Sequence, residues 1–168
     1  MAYLIYKLDK KRGIEGQFID LHTEIWKPSI TNFYHERLPR KYILWWFFHY
    51  FGIFRNKVFQ IRLFYDNKFL AHFFCIVPKY YRWPFMKKHD VQITYVITEK
   101  KYQGKGLAYQ CISYVLSNLE VNGVIWYVTD SENIPSQRLA EKLGFEFQGK
   151  GIRKSYFFGL IKILTLRK

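Results

Sequence analysis

Apolar residues recur along this chain at two different spacings, and the changes from one to the other mark out its elements. Residues 3–8 read as a short strand and the charged stretch 9–13 as a turn. Phe18, Leu21 and Ile25 then fall at helical spacing, so residues 14–26 are expected to form a helix that Pro28 interrupts. Residues 29–39 read as irregular or briefly helical, up to Pro39. Residues 40–51 predict a second helix, rich in Trp and Phe, with apolar residues on more than one side and Gly52 as its stop. The runs 58–65 and 69–77 flank Asp66-Asn67 and predict a hairpin, and Pro78 closes its second strand.

A basic, aromatic connection at 79–89 leads to a further strand at 91–98. A glycine-rich turn follows, then a helix at 106–119 with Leu107, Cys111, Val115 and Leu119 as its buried stripe and Ile112 beside it. Gly123 introduces a strand at 124–128, and residues 130–133 carry turn and capping side chains. A short helix at 134–143 tolerates Pro135 in its first turn and ends at Gly144. The pattern closes with a strand at 145–148, a turn at 149–151 and a strand at 155–166. This order predicts an α/β (α+β) fold, one mixed sheet covered by helices, in a single domain spanning 1–168.

The turn between the strand and helix carries the first candidate chemistry. In Gln103-Gly104-Lys105-Gly106-Leu107-Ala108 the glycines let successive amides converge beside a helix N-terminus, which makes an anion site, and Lys105 adds charge at its rim. The spacing is neither that of a P-loop nor the dinucleotide fingerprint GxGxxG, and a tight turn without a ligand fits the same residues. Charge enlarges the picture: 27 basic against 13 acidic residues give a net charge of +14, which attracts anions. Aromatic residues reach 21%, which suits an aromatic core or a ring-lined cleft. Cys75 and Cys111 lie in apolar surroundings without metal spacing or a disulfide framework, and read as core thiols in a reducing compartment. No signal-peptide pattern opens the chain, and its most apolar segment, 42–54, is too short to span a bilayer, so a cytoplasmic protein is expected.

Two motifs in order carry a resemblance. The stretch around Gln103, Gly104, Gly106 and Ala108 resembles the coenzyme A loop of the GNAT family of N-acetyltransferases. About 30 residues on, Asn133, Ser136, Arg138, Glu141, Lys142, Gly144 and Phe145 match the spacing of the family's second segment. The resemblance is firmest over residues 90–145 and weakest over 9–57. It implies a mixed, mostly antiparallel central sheet with helices on both faces and a splayed central strand pair. It also implies acetyl-CoA as donor substrate. Backbone groups of Val96, Ile97 and Thr98 would hold the pantetheine arm and thioester, and the amides of Gln103, Gly104, Lys105, Gly106, Leu107 and Ala108 the pyrophosphate. Asn133 would bind the pantetheine arm, Ser136 would sit near the sulfur or the cofactor chain and, as a catalytic candidate, either help the thiolate leave or be unneeded for that step, and Arg138 would reach phosphate or remain a surface residue. Many members carry a tyrosine seven residues after the Asn as general acid; here that residue is Ala140.

The implied reaction is direct attack of a neutral amine on a thioester, accelerated by positioning and by amides aimed at the developing oxyanion. Asp90 aligns with a glutamate that several members use as base, and His72, with its near-neutral titration, is a second candidate. Glu24, Glu99 and Asp130 are further options. Trp26, Tyr34, Tyr42, Trp45, Trp46, Tyr80, Tyr81, Trp83 and Tyr156, beside Arg40, Lys41, Arg82, Lys87 and Lys88, suit stacking on a phosphorylated acceptor or simply filling the core. A nucleotide-linked or other amino-sugar, or a small amine, is the favoured acceptor. The alternatives are protein N-terminal or lysine acetylation, a non-catalytic acyl-CoA-binding protein, and a nucleic-acid-binding module. The two motifs argue against nucleic acid, and no metal is expected. The chain is expected to be a monomer or homodimer.

Overall fold

The computed structural model describes residues 2–9, 22–26, 29, 31, 33, 43, 47, 61–65, 83–87, 89–93, 96–118, 123–156 and 161–167. The chain forms two compact units. The first comprises Met1–Gly16, Trp83–Ile93 and Ile112–Lys168, and the second Gln17–Arg82 and Thr94–Cys111.

The first unit is built on a five-stranded sheet. Its strands are β1 (Ala2–Leu8), β4 (Val91–Ile93), β5 (Ile125–Asp130), β6 (Glu146–Tyr156) and β7 (Ile161–Arg167), in the order β4-β5-β1-β6-β7. Among the described residues only β4 and β5 run parallel in this sheet, with Val91, Gln92 and Ile93 opposite Ile125, Trp126 and Tyr127. The β1–β5, β1–β6 and β6–β7 ladders are antiparallel, so the sheet is mixed and mostly antiparallel as expected.

Alternation along the strands separates two faces. On one, Ile5, Trp83 and Trp126 form a buried cluster edged by Tyr3, Phe85, Met86, Val124 and Val128. On the other, Tyr6 and Tyr127 are cross-strand partners and each meets a further ring, Tyr6 against Phe147 and Tyr127 against Phe145. Trp83 and Trp126 are therefore packing residues. Trp83 was a candidate acceptor ring, but it is 4% exposed inside this cluster.

In the second unit, β2 (His22–Trp26) pairs antiparallel with β3 (Ile61–Tyr65). This corrects the helix expected over 14–26, whose C-terminal part is a strand. Leu21 and Ile25 fit a helical stripe, but cross-strand pairing with β3 decides the conformation. Trp26 is almost fully buried, so it too leaves the list of acceptor rings. Ile43 and Phe47 are helical, in keeping with the helix expected over 40–51. The second strand of the expected hairpin, 69–77, lies outside the described residues. Of the strand expected over 91–98, Val91, Gln92 and Ile93 pair with β5, and among the described residues Val96, Ile97 and Thr98 carry no ladder.

The helix expected at 106–119 is α1 (Leu107–Asn118), and that at 134–143 is α2 (Ile134–Lys142). The turn expected at 149–151 is absent, because β6 runs unbroken through it. The β1–β6 register shifts between Ile5 and Tyr6, where the ladder steps from Gly149 to Phe147, a bulge that accounts for the positive φ of 146° at Gly149. Gly151 is small for a different reason: a Cβ there would meet the Trp83 ring at 2.5 Å and Ile5 at 2.9 Å. Gly151 thus lets β6 lie against Trp83.

Candidate active site

Residues 98–110 form the candidate anion cradle. Lys100–Tyr102 make one turn of 3-10 helix, and the Gln103 side chain folds back so that Nε2 donates to the Thr98 carbonyl at 3.0 Å. Gly104 and Gly106 adopt left-handed φ of 78° and 74°, where a side chain is strained, and nothing lies within 4 Å of where their Cβ atoms would be. The next hydrogen bond along the chain runs from Gln110 N to the Gly106 carbonyl at 3.2 Å. Among the described residues, the amides of Gly104, Lys105, Gly106, Leu107 and Ala108 therefore have no acceptor. They stand at the N-terminus of α1, where the helix dipole favours negative charge. Lys101 and Lys105 both lie over the Tyr102 ring, at 5.0 and 5.5 Å from its centre. Lys101 also meets Glu99 at 3.6 Å, whereas Lys105 has no carboxylate partner among the described residues. Open space, unpaired amides and a nearby cation fit a diphosphate. Thr98 already accepts from Gln103, while Val96 and Ile97 are partly and well exposed, respectively.

Asn133, Ser136 and Arg138 come from α2. Asn133 is its N-cap: Oδ1 accepts from Ser136 N at 3.2 Å, and Asp130 orders the preceding turn by accepting from Glu132 N at 3.0 Å. The N-x-x-S spacing thus has a local structural use besides any ligand. Arg138 is exposed on the helix. Ser136 is half-buried, and its Oγ lies 2.9 Å from the Tyr127 hydroxyl on β5. Burial raises the Tyr127 pKa, a shift that the Ser136 hydrogen bond partly opposes. Burial and then the charge of Glu141 likewise raise that of Tyr6. Ala140, fully buried, lies one turn beyond Ser136. The sequence singled out neither Tyr6 nor Tyr127, because in an alternating strand a tyrosine reads simply as core.

Asp90 is 6% exposed, and N–H groups surround its carboxylate. Oδ2 accepts from Trp126 Nε1 at 2.8 Å and from Lys87 N at 2.9 Å, while Oδ1 accepts from Val124 N at 3.1 Å. Such a set ties β4, β5 and the 83–90 segment together. Gly123 lets the chain pass close by: a Cβ there would collide with the His89 carbonyl and lie 2.9 Å from Asp90 Oδ1. Asp90 engages the Trp126 side of β5 and Ser136 the Tyr127 side, so the structure does not bring these two candidates together. His72, the other candidate base, lies outside the described residues. Glu24 is half-buried in β2. Cys111 is a free, buried thiol whose pKa burial pushes up to about 12, which leaves it without nucleophilic character at neutral pH.

The family model described as "Acetyltransferase (GNAT) family" matches residues 18–145, which include both the cradle and the Asn133 segment. The chain belongs to the GNAT acetyltransferase family. The GNAT fold typically takes acetyl-CoA as donor. Among solved structures, a functionally unknown conserved protein from Staphylococcus epidermidis ATCC 12228 superposes with a TM-score of 0.58 at 13% identity. The match covers 89% of this chain and 58% of that one, so this GNAT chain spans little more than half the length of its structural relative. At this identity the likeness is one of fold. No curated protein matches the sequence. Among the described residues, no helix of the GNAT chain is long and apolar enough to cross a membrane.

Proposed function

We propose that this chain transfers an acetyl group from acetyl-CoA to the primary amine of a small, anionic acceptor, with a nucleotide-linked or other amino-sugar as the favoured class. The observation that carries the donor half is the run of amides from Gly104 to Ala108 at the head of α1, without an acceptor among the described residues, in a chain of this family. These amides take the donor's diphosphate, and Lys105 adds charge beside them. The resemblance to the family assigns Asn133, whose Oδ1 caps α2, to the pantetheine arm and Ser136 to the thioester sulfur. The amine attacks as the neutral base, the new C–N bond forms, the C–S bond breaks with its electron pair passing to sulfur, and the amine proton leaves to a base or to water. The carboxylate of Asp90, ringed by N–H donors, is better suited to holding the sheet than to taking that proton. The acceptor half rests on the net charge of +14, which favours an anionic acceptor and disfavours a basic peptide.

Thiol release measured with acetyl-CoA and panels of amino-sugars, nucleotide-linked amino-sugars, polyamines and peptides tests both halves. Turnover is expected first with the phosphorylated amino-sugars. Acetyl-CoA binding without thiol release from any acceptor would sink the enzymatic reading, and preference for peptides would move the acceptor to protein. In a second arm, Gly106→Ala forces a side chain into a left-handed turn and should weaken acetyl-CoA binding about tenfold.

A further inference from the structure

The Tyr127–Ser136 pair has a direction that burial decides. Among the described residues, each hydroxyl has one hydrogen-bond partner, the other, at 2.9 Å. Tyr127 is 2% exposed, beneath α2 and against Phe145, whereas Ser136 is half-buried in the first turn of that helix. If Ser136 donated, the phenol proton would be stranded in an apolar setting, at the cost that attends an unmade buried hydrogen bond. If Tyr127 donates, its proton is satisfied and that of Ser136 is left at the more accessible end of the pair. A phenol is also the stronger donor and the poorer acceptor of the two hydroxyls. The Asn133 cap fixes the Ser136 backbone, so the outward position of its proton is set by one side-chain bond from below and one from the preceding turn.

We propose that Tyr127 is a positioning residue for Ser136: it donates to Ser136 Oγ and thereby commits the Ser136 proton outward, as a hydrogen-bond donor to the sulfur that leaves the acetyl donor. This deepens the acetyl-transfer reading and rests on it. When the C–S bond breaks, its electron pair goes to sulfur, and the thiolate departs hydrogen-bonded to Ser136. Neither hydroxyl surrenders its proton. None is needed, since a free thiol has a pKa of about 8.5 and departs readily as thiolate. The burial that raises the Tyr127 pKa keeps the phenol protonated and donating throughout. Ala140 supplies no hydroxyl from the helix, so in this chain the phenol comes from the strand.

The test is steady-state kinetics on the full chain, using acetyl-CoA and whichever acceptor gives turnover, for wild type, Tyr127→Phe, Ser136→Ala and the double variant. Each single variant should lose about tenfold in kcat, as expected for a hydrogen bond to a developing charge, with KM and Kd for acetyl-CoA within about twofold of wild type. The double variant should be no slower than Ser136→Ala alone, because Tyr127 acts only through Ser136. A Tyr127→Phe enzyme with wild-type kcat, or additive losses in the double variant, overturns the inference while acetyl transfer stands. Absence of thiol release by the wild-type chain overturns both. Should Tyr127→Phe fold poorly, a singly fluorinated tyrosine at position 127 keeps the hydroxyl and strengthens it as a donor. Its kcat should rise, and an unchanged kcat overturns the inference.

Discussion

Asp90 and Cys111 are chemically reactive residue types held in buried surroundings. For Asp90, replacement by Asn puts an NH2 group against N–H donors from Lys87 and Trp126. Asp90→Asn should therefore lose about 2–3 kcal/mol of stability, read by urea unfolding. Its kcat, measured where the variant is fully folded, should stay close to wild type. A collapse of kcat in folded Asp90→Asn would restore Asp90 as the base. For Cys111, the folded pKa of about 12 lies above the ordinary 9.0, so the folded chain holds a proton that the unfolded chain releases between those values. The sign follows: this contribution is fully present below pH 9.0 and is lost as pH rises toward about 12. Tyr6 and Tyr127, raised from 10.0, act in the same sense. Unfolding midpoints should fall between pH 8 and 11, and less steeply in Cys111→Ala; a flat profile would refute this.

At the scale of elements, the parts legible in the sequence are those that local chemistry specifies. Asn133 and Ser136 announce a capped helix, Gly104 and Gly106 a left-handed turn, and both are found where their residues put them. The parts that were not legible depend on partners distant along the chain. His22–Trp26 is a strand because β3 pairs with it. The Asp90 carboxylate is occupied because Val124 and Trp126 reach it from β5 and its approach. Tyr127 meets Ser136 only once α2 has folded over the sheet. The β6 glycines mislead most, since Gly-x-Gly between short apolar runs is turn chemistry, whereas here it admits the Trp83 ring. Gly151→Ala should force that ring and Ile5 aside, at a cost of about 1–3 kcal/mol, with a change in tryptophan emission. Retention of wild-type stability and emission would show that β6 has slack to spare.

At the scale of the whole molecule, both compact units are assembled from separated stretches of chain, so neither corresponds to one contiguous fragment. β1 is the case with most consequence. It occupies the middle of the five-stranded sheet, with β5 on one side and β6 on the other. β1 cannot form either ladder until the chain has been made through β5, whose Ile125, the partner of Leu8, lies more than 110 residues further on. Its ladder with β5 can close only then, and that with β6 later still. Closing such distant pairings is slow, and exposed apolar edges favour mispairing meanwhile. A chain arrested before the β5 residues should therefore bind a holdase chaperone more than the full chain does, and equal binding in a pull-down would refute this.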